Sequence, residues 1–304
     1  MPSDRPRTSP SPSTSMSRTT RTSPPGSGSP TKQQRRDQAR EEAREARVRQ
    51  ERARRRRRVV VASLLGLVGL AFVAALVLAL QHSRHDAALA ADVVHPDPSP
   101  ALVDVAVPGA ADAGTGGVPV SAAGVGVPGD GVTVDLYLDA MCPYCGILEQ
   151  VNGEDLADLV ADDGVTVVYH PLSILDDASS SAYSTRAANA LGVVADGDPE
   201  RFPALVTALF AEGTQPAERS AGLDDDELAA LAHGVGVPDA VTDGFTARTE
   251  AGRTFAGWVA AATNLAPRDE RGRVTTPVVL IDGTAWTGDF RIPGALRAAI
   301  EAAG

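Results

Sequence analysis

From about residue 129 to the C-terminus, the order of hydrophobic and polar positions predicts alternating strands and helices. Val132–Leu138 alternates apolar and mixed residues, and Val165–Tyr169 is a largely β-branched run, so each predicts a strand. Between them, apolar positions suit a helix that continues to about Ala161 and ends at Gly164. A strand, a helix and a strand in this order predict a parallel pair with a right-handed crossover, and hence an α/β fold.

Residues 179–266 carry a helical pattern instead. Asp224 to Glu227 has the sequence of a capping box, which marks a helix start. Apolar stripes with helical spacing are typical of helices that face a core, so we predict a helical bundle inserted into the α/β domain. The stripes are Tyr183, Ala187, Ala190 and Leu191; Leu205, Leu209 and Phe210; Leu228, Leu231 and Ala232; and Phe245, Phe255, Trp258 and Val259.

The last part of the chain predicts a hairpin and a closing helix. The largely β-branched stretch Val274–Ile281 ends in Asp282-Gly283, a dipeptide typical of a two-residue hairpin turn, and Ala285-Trp286-Thr287 follows as the second arm. Pro277 stands at the head of this strand, where proline is permitted and an X-Pro bond adopts the cis form at low cost. The apolar spacing of Ile292–Ala303 predicts the final helix.

The first 80 residues have a different composition. Residues 1–31 are mainly Ser, Thr, Pro and Arg and bury little, which predicts disorder; residues 33–58 are rich in Gln, Arg, Glu and Ala with helical charge spacing. Residues 59–80 are 22 residues without a charge, about 33 Å long as a helix and enough to cross a bilayer core. We therefore predict a disordered or helical basic segment over 1–58 and a transmembrane helix over 59–80.

Charge is divided across this apolar run. The net charge is −11, but residues 1–58 carry +11 and residues 81–304 carry −22. By the positive-inside rule the basic side is cytoplasmic and the remainder extracytoplasmic. A signal peptide cleaved after Ala88-Leu89-Ala90 is the alternative, but the run is longer than a usual signal core. The sequence favours a single-pass anchor in the cell membrane, and arginines beside anionic lipid argue against nucleic-acid binding.

Residues 81–128 are predicted to be a flexible linker. They are rich in Ala, Gly, Val, Pro and Asp, and several prolines interrupt any helix. Such a linker would keep the following domain, residues 129–304, within reach of membrane partners. Val118–Val120 or Val125–Val127 is a candidate edge strand.

Both cysteines of the chain lie in one Cys-x-x-Cys between the first predicted strand and its helix. Pro143 suits the first helical turn, which places Cys142 at the helix cap, facing unpaired backbone N–H groups. The partial positive charge there stabilises a thiolate. Cys142 is therefore predicted to be the nucleophile, and Cys145, one turn further along, its resolving partner.

Structural disulfides, zinc sites and haem attachment sites also use paired cysteines. A structural disulfide across a four-residue loop removes little chain entropy and stabilises little. A zinc site needs two more ligands, which no second Cys pair or His pair at metal spacing supplies. Covalent haem attachment would need a histidine where Gly146 stands. We therefore predict thiol-disulfide chemistry, with no metal and no cofactor.

Cys142-Pro143-Tyr144-Cys145 after a strand, a helical insertion, Thr276-Pro277 at a late strand and a terminal helix together resemble the DsbA-like family of thiol-disulfide oxidoreductases. The resemblance covers residues 129–304 and implies a thioredoxin fold with an inserted helical bundle. It implies that Pro277 is a cis-proline packed against the active-site disulfide and that Thr276 offers its backbone to a bound peptide. Pro143 and Tyr144 would complete the substrate-binding surface.

The sequence departs from the family pattern at two positions. The family often has a proton-carrying buried acid six residues before the first cysteine, where Leu136 stands here. Asp135 and Asp139 flank it on the opposite strand face, so Asp139 or water is the candidate proton carrier. Tyr144 stands where the strongest oxidant of the family has a histidine, so we expect a reduction potential between those of thioredoxin and DsbA.

The resemblance implies an extracytoplasmic oxidase that introduces disulfides into exported, cysteine-containing proteins. The anchor suggests reoxidation by a quinone-linked membrane protein. The same residues would also serve a disulfide reductase or isomerase. A non-enzymatic chaperone or scaffold that binds peptides is the alternative from another class, and it would not need the cysteines.

Overall fold

A computed structural model describes residues 31–91, 93, 99–162, 164–250 and 252–304, so the segment predicted to be disordered, residues 1–31, lies outside the described residues except for its last residue. Helix α1 (Lys32–Ala91) includes both the basic segment from Lys32 and the uncharged run. By length and composition, it is the one helix in the described part of the chain that could cross a membrane. The described residues up to Val73 form one compact unit and those from Ala74 form another.

A mixed sheet organises the second unit. Its strands are β1 (Val118–Ser121), β2 (Gly124–Val125), β3 (Val132–Asp139), β4 (Val165–Leu172), β7 (Val278–Ile281) and β8 (Thr284–Ala285), while β5 and β6 form a separate hairpin described below. The predicted parallel pair β3–β4 is confirmed, with Val132 opposite Val165 and Asp139 opposite Leu172. Within the described residues the strand order is β2-β1-β4-β3-β7-β8.

The register of the central strands determines where the site forms. Helix α2 (Pro143–Ala161) follows β3 and ends at the predicted residue. Strand β7 runs antiparallel to β3, with Val278 opposite Tyr137. The end of β3 and the beginning of β7 therefore lie at the same edge of the sheet, which brings the residues before α2 close to Pro277.

The predicted helical insertion lies between β4 and β7. Its central helix is buried on all sides from Tyr183 to Ala195. The predicted capping box is present, because Asp224 Oδ1 accepts from the Glu227 N–H and Glu227 Oε2 accepts from the Asp224 N–H, both at 2.8 Å. The insertion comprises α3 (Tyr183–Gly197), α4 (Phe202–Phe210), α5 (Asp225–Gly234), α6 (Asp239–Thr242), α7 (Ala256–Leu265) and an unpredicted small hairpin of β5 (Arg248–Thr249) and β6 (Gly252–Arg253).

The predicted flexible linker over 81–128 is wrong at both ends. Helix α1 continues to Ala91. At the other end the candidate edge strand at Val118–Val120 is confirmed, because β1 pairs with the edge of β4 and its first residue, Val118, is fully buried. The indole N–H of buried Trp258 also donates to the Gly116 carbonyl at 3.0 Å. These residues bury apolar surface that the rest of the domain would otherwise expose, so they belong to the domain.

The hairpin and the last helix follow the sequence with one change. Asp282 and Gly283 both have positive φ, 46° and 75°, as a type I′ turn between β7 and β8 requires. The closing helix α8 (Ala295–Glu301) begins later than predicted. Gly294 has φ 75°, a left-handed conformation that interrupts a right-handed helix, so the residues from Ile292 remain outside it.

Candidate active site

Cys142 occupies the N-cap of α2, with Pro143 at the first helical position, as the sequence predicts. Cys142 is 4% exposed and Cys145 fully buried, and both are free thiols. Tyr144 is 54% exposed between them. Of the two cysteines, only Cys142 therefore reaches the surface, next to the exposed ring of Tyr144.

The Cys142 thiol lies where its ionised form is stabilised. A hydrogen bond with the Cys145 side chain lowers the pKa of Cys142 to about 6 against the opposing effect of burial, and bonds from Thr276 and the N–H groups of Cys145 and Tyr144 contribute. These contacts favour the thiolate of Cys142 at neutral pH. In its protonated form, the Cys142 thiol donates to the Thr276 carbonyl, with 3.5 Å between sulfur and oxygen.

Cys145 has the opposite tendency. Burial raises the pKa of Cys145 well above its ordinary value, and the charges of Cys142 and Asp139 raise it further. Cys145 therefore holds its proton where Cys142 loses one. The two thiols are chemically unequal although they lie three residues apart in the same turn.

Asp139 is fully buried at the end of β3. Burial raises the pKa of Asp139 to about 7, although hydrogen bonds to its carboxylate oppose the shift. Its Oδ1 accepts from Ser184 Oγ at 2.6 Å and the Met141 N–H at 2.9 Å, and its Oδ2 accepts from the Leu175 N–H at 3.0 Å. A carboxyl group that titrates near neutrality thus lies within electrostatic range of Cys145, although Leu136 occupies the family position.

Two other polar residues of β3 and β4, Asp135 and His170, contact each other. His170 Nε2 lies 2.9 Å from Asp135 Oδ1, and the His170 ring stacks on Tyr137 with centroids 4.1 Å apart. His170 is 2% exposed. It is therefore a buried, hydrogen-bonded residue.

Thr276 and Pro277 lie beside the motif and are joined by a cis peptide bond. They line an open groove of about 470 Å³, whose opposite wall is the segment between β8 and α8. In that segment Arg291 Nε donates to Asp289 Oδ1 at 2.7 Å. This segment was not predicted from the sequence, because no local pattern places it beside Tyr144. The groove residues are Tyr144, Thr276, Pro277, Thr287, Gly288, Asp289, Phe290 and Arg291.

We expect the Cys142 titration to be measurable in the reduced protein. The ultraviolet absorbance of the thiolate should rise through about pH 6 and be absent from Cys142→Ser. Because folding lowers this pKa from 9.0, the resulting stability is fully present above pH 9 and is lost as the pH falls through about 6. A titration midpoint near 9 would contradict the assigned environment.

Several solved structures resemble this chain. The reduced disulfide bond oxidoreductase DsbG from Mycobacterium tuberculosis has 32% identity, a TM-score of 0.50, and coverage of 62% of this chain and 88% of that one. Reduced DsbA from Mycobacterium tuberculosis has 31% identity, a TM-score of 0.50, and coverage of 61% and 91%. MdbA, a thiol-disulfide oxidoreductase from Actinomyces oris, has 19% identity, a TM-score of 0.50 and coverage of 68% and 98%, and shows the fold alone.

The sheet, the Cys-x-x-Cys at a helix N-terminus and the adjacent cis-proline define the class of thioredoxin-fold proteins with a thiol pair. Residues 123–302 match the family model described as Thioredoxin. Because this match covers more than half of the chain, the chain belongs to that family, and its structural relatives place it in the DsbA-like group.

A curated relative shares a smaller part. Serine/threonine-protein kinase PknE of Mycobacterium tuberculosis (strain H37Rv) is 39% identical over 144 residues, which covers 43% of this chain and 25% of the kinase. The chain therefore spans about a quarter of the length of the curated relatives it matches.

Proposed function

We propose that the protein is a membrane-anchored, extracytoplasmic thiol-disulfide oxidase that introduces disulfides into exported, cysteine-containing proteins. The observation that carries this proposal is the unequal thiol pair, in which the pKa of Cys142 is lowered to about 6 and that of Cys145 is raised. A sulfur with a stabilised thiolate is a good leaving group in disulfide exchange. The pair therefore favours transfer of its disulfide to a substrate.

The reaction proceeds in two exchanges. A substrate thiolate attacks the Cys142 sulfur of the oxidised pair, the Cys142–Cys145 bond breaks, and Cys145 leaves and takes up a proton. The second substrate thiolate then attacks the substrate sulfur of the mixed disulfide, and Cys142 leaves as a thiolate. The substrate loses two electrons to the protein pair. In this scheme Cys142 is the nucleophile in the reverse direction and Cys145 the resolving cysteine.

Asp139 is the proposed proton carrier for Cys145. Its pKa of about 7 leaves the carboxyl partly protonated at neutral pH, so it can donate a proton and later accept one. It replaces the acid that the family often has at the position of Leu136. Proton transfer through Asp139 would prevent the build-up of charge on a buried sulfur.

The groove beside Thr276-Pro277 is the proposed substrate-binding surface. It is open to solvent, and it is lined on one side by Tyr144. An extended peptide held against the Thr276 backbone would place a substrate cysteine near Cys142. Pro143, on the exposed side of the motif, would border the same peptide.

The anchor and the location are part of the same proposal. Residues 59–80 within α1 supply the single span, and the arginines before them indicate that the N-terminus is cytoplasmic. A membrane protein linked to quinones would reoxidise the pair. A reporter enzyme that is active only outside the cytoplasm, fused after Gly304, tests this orientation; activity at residue 31 but not after Gly304 would overturn it.

The function is tested by the reduction potential of the full-length protein in detergent micelles, equilibrated with glutathione buffers and read by thiol trapping. We expect a value well above that of thioredoxin, about −270 mV, toward that of DsbA, about −120 mV. Cys142→Ser is the control, and thiol trapping should detect no intramolecular disulfide in it. A potential near or below that of thioredoxin would instead favour a reductase, and a pair that never exchanges would contradict the enzymatic proposal.

A further inference from the structure

The connection between α4 and α5 returns to the cysteine motif through one side chain. Gln215 Nε2 donates to the Cys142 carbonyl at 2.8 Å and to the Ala140 carbonyl at 3.2 Å. The Gln215 backbone N–H in turn donates to the Ala211 carbonyl at 3.2 Å, within a tight turn. A residue 73 positions away in sequence therefore holds the backbone on both sides of Met141.

The first turn of α2 is shaped to receive this amide. A Cβ on Gly146 would lie 2.0 Å from Gln215 Oε1, so a side chain at this position would displace the amide. The Cys142 carbonyl also accepts from the N–H groups of Cys145 at 3.0 Å and Gly146 at 3.3 Å. Gln215 thus supplies a third donor to the carbonyl of the residue that carries the reactive sulfur.

We propose that Gln215 is a positioning residue of the redox pair, by which the helical insertion fixes the orientation of Cys142. This inference rests on the proposed function and adds a residue to the same site. The thiolate depends on backbone N–H groups that face its sulfur, so it depends on the orientation of the peptide units around Cys142. The neutral disulfide carries no charge and depends less on them.

Loss of the amide should therefore affect the reduced form more than the oxidised form. In Gln215→Ala we expect the acid ionisation constant of Cys142 to fall about fivefold, since one hydrogen bond contributes about 1 kcal/mol. The equilibrium with glutathione should shift about fivefold toward the disulfide form. Both changes are expected because both follow from a less stable thiolate in the reduced protein.

The matched control is Gln150→Ala. Gln150 Nε2 donates to the Phe210 carbonyl at 2.7 Å, so this residue also joins α2 to the start of the same connection. Its partner is the last residue of α4 and not a backbone group of the cysteine motif. We expect Gln150→Ala to leave the Cys142 pKa and the glutathione equilibrium unchanged, which separates positioning of the sulfur from general loosening of the connection.

Gly146→Ala provides a second variant that works by displacement. Alanine normally stabilises a helix interior by about 1 kcal/mol relative to glycine. Here we expect Gly146→Ala to destabilise the protein, because the new methyl group displaces the Gln215 amide. The Cys142 pKa should rise in the otherwise native chain and should not change further when Gln215→Ala is already present. This double-mutant cycle tests the contact even if either single variant is less stable.

All variants are compared as full-length protein in micelles, by thiolate titration and by glutathione equilibrium. The inference is overturned if the native protein exchanges with glutathione while Gln215→Ala leaves both quantities unchanged, or if Gln150→Ala shifts them equally. The thiolate titration does not require exchange. A native protein that never exchanges would therefore contradict the proposed function, while the titration would still decide the role of Gln215.

Discussion

Asp139→Asn is expected to slow substrate oxidation by roughly 10²-fold, because a positioned proton carrier contributes about that factor or more. Asparagine keeps the size of the side chain and an oxygen that can accept from Ser184 Oγ and the Met141 N–H. It cannot supply a proton to Cys145 at neutral pH. The measurement is single-turnover oxidation of a peptide dithiol by the pre-oxidised protein, followed across pH.

The pH profile distinguishes a proton carrier from a residue that only supports the fold. In the native protein the oxidation rate should change as Asp139 titrates near pH 7, and that inflection should disappear in Asp139→Asn. Asp135→Asn is the matched control, since Asp135 lies on the same strand and contacts His170 instead. An unchanged rate and an unchanged inflection in Asp139→Asn would assign proton transfer to water.

The same carboxyl affects stability with a defined sign. Folding raises the Asp139 pKa from 3.8 to about 7, so its contribution is greatest below pH 3.8 and is lost as the pH rises through about 7. Asp139→Asn should lack this component of the pH dependence.

Among the substitutions proposed for this protein, Asp225→Ala is expected to lower the free energy of unfolding most. Arg186 and Arg253 are both buried, at 0% and 1% exposure. Arg253 Nη2 donates to Asp225 Oδ2 at 2.7 Å, and Arg186 Nη1 donates to Asp225 Oδ1 at 3.2 Å. Removing the Asp225 carboxylate leaves two buried guanidinium groups without this counter-charge. The free energy of unfolding should therefore fall by about 3–5 kcal/mol.

Thermal unfolding of the full-length protein, followed by tryptophan fluorescence, measures this loss. We expect the Tm to fall by about 10 °C or more for a domain of this size. Burial raises the pKa of Asp225, but the bonds and charges of the two arginines outweigh it and lower the pKa, so this stabilisation is lost in acid. Asp226→Ala, in the same helical turn but exposed, is the control. Equal Tm values for the two variants would contradict the role of the cluster.

Patterns within short windows predicted much of the fold. The spacing of apolar residues located β3, α2, β4 and the insertion, and Asp282-Gly283 located the hairpin turn, because each depends on neighbours in sequence. Cys142 and Pro143 at the start of α2 follow from the same local rules.

Contacts between distant segments could not be predicted in this way. Asp139 lies on the strand face predicted to be opposite Leu136, yet it is fully buried and accepts a hydrogen bond from Ser184, 45 residues away. Gln215 reaches Cys142 across 73 residues. The sequence singled out Asp139 but not its burial, and it did not indicate Gln215 at all, because both contacts depend on how the insertion packs on the sheet.

The strand formed by residues 118–121 also affects whether two molecules of this protein can pair through the edge of the sheet. It covers the outer edge of β4, with Val118 opposite Tyr169 and Val120 opposite Val167. A fragment beginning at residue 129 would expose that edge as a row of unpaired backbone groups, which readily pair with a strand from another molecule. We therefore expect a fragment that begins at residue 99 to resist intermolecular sheet formation better than one that begins at residue 129.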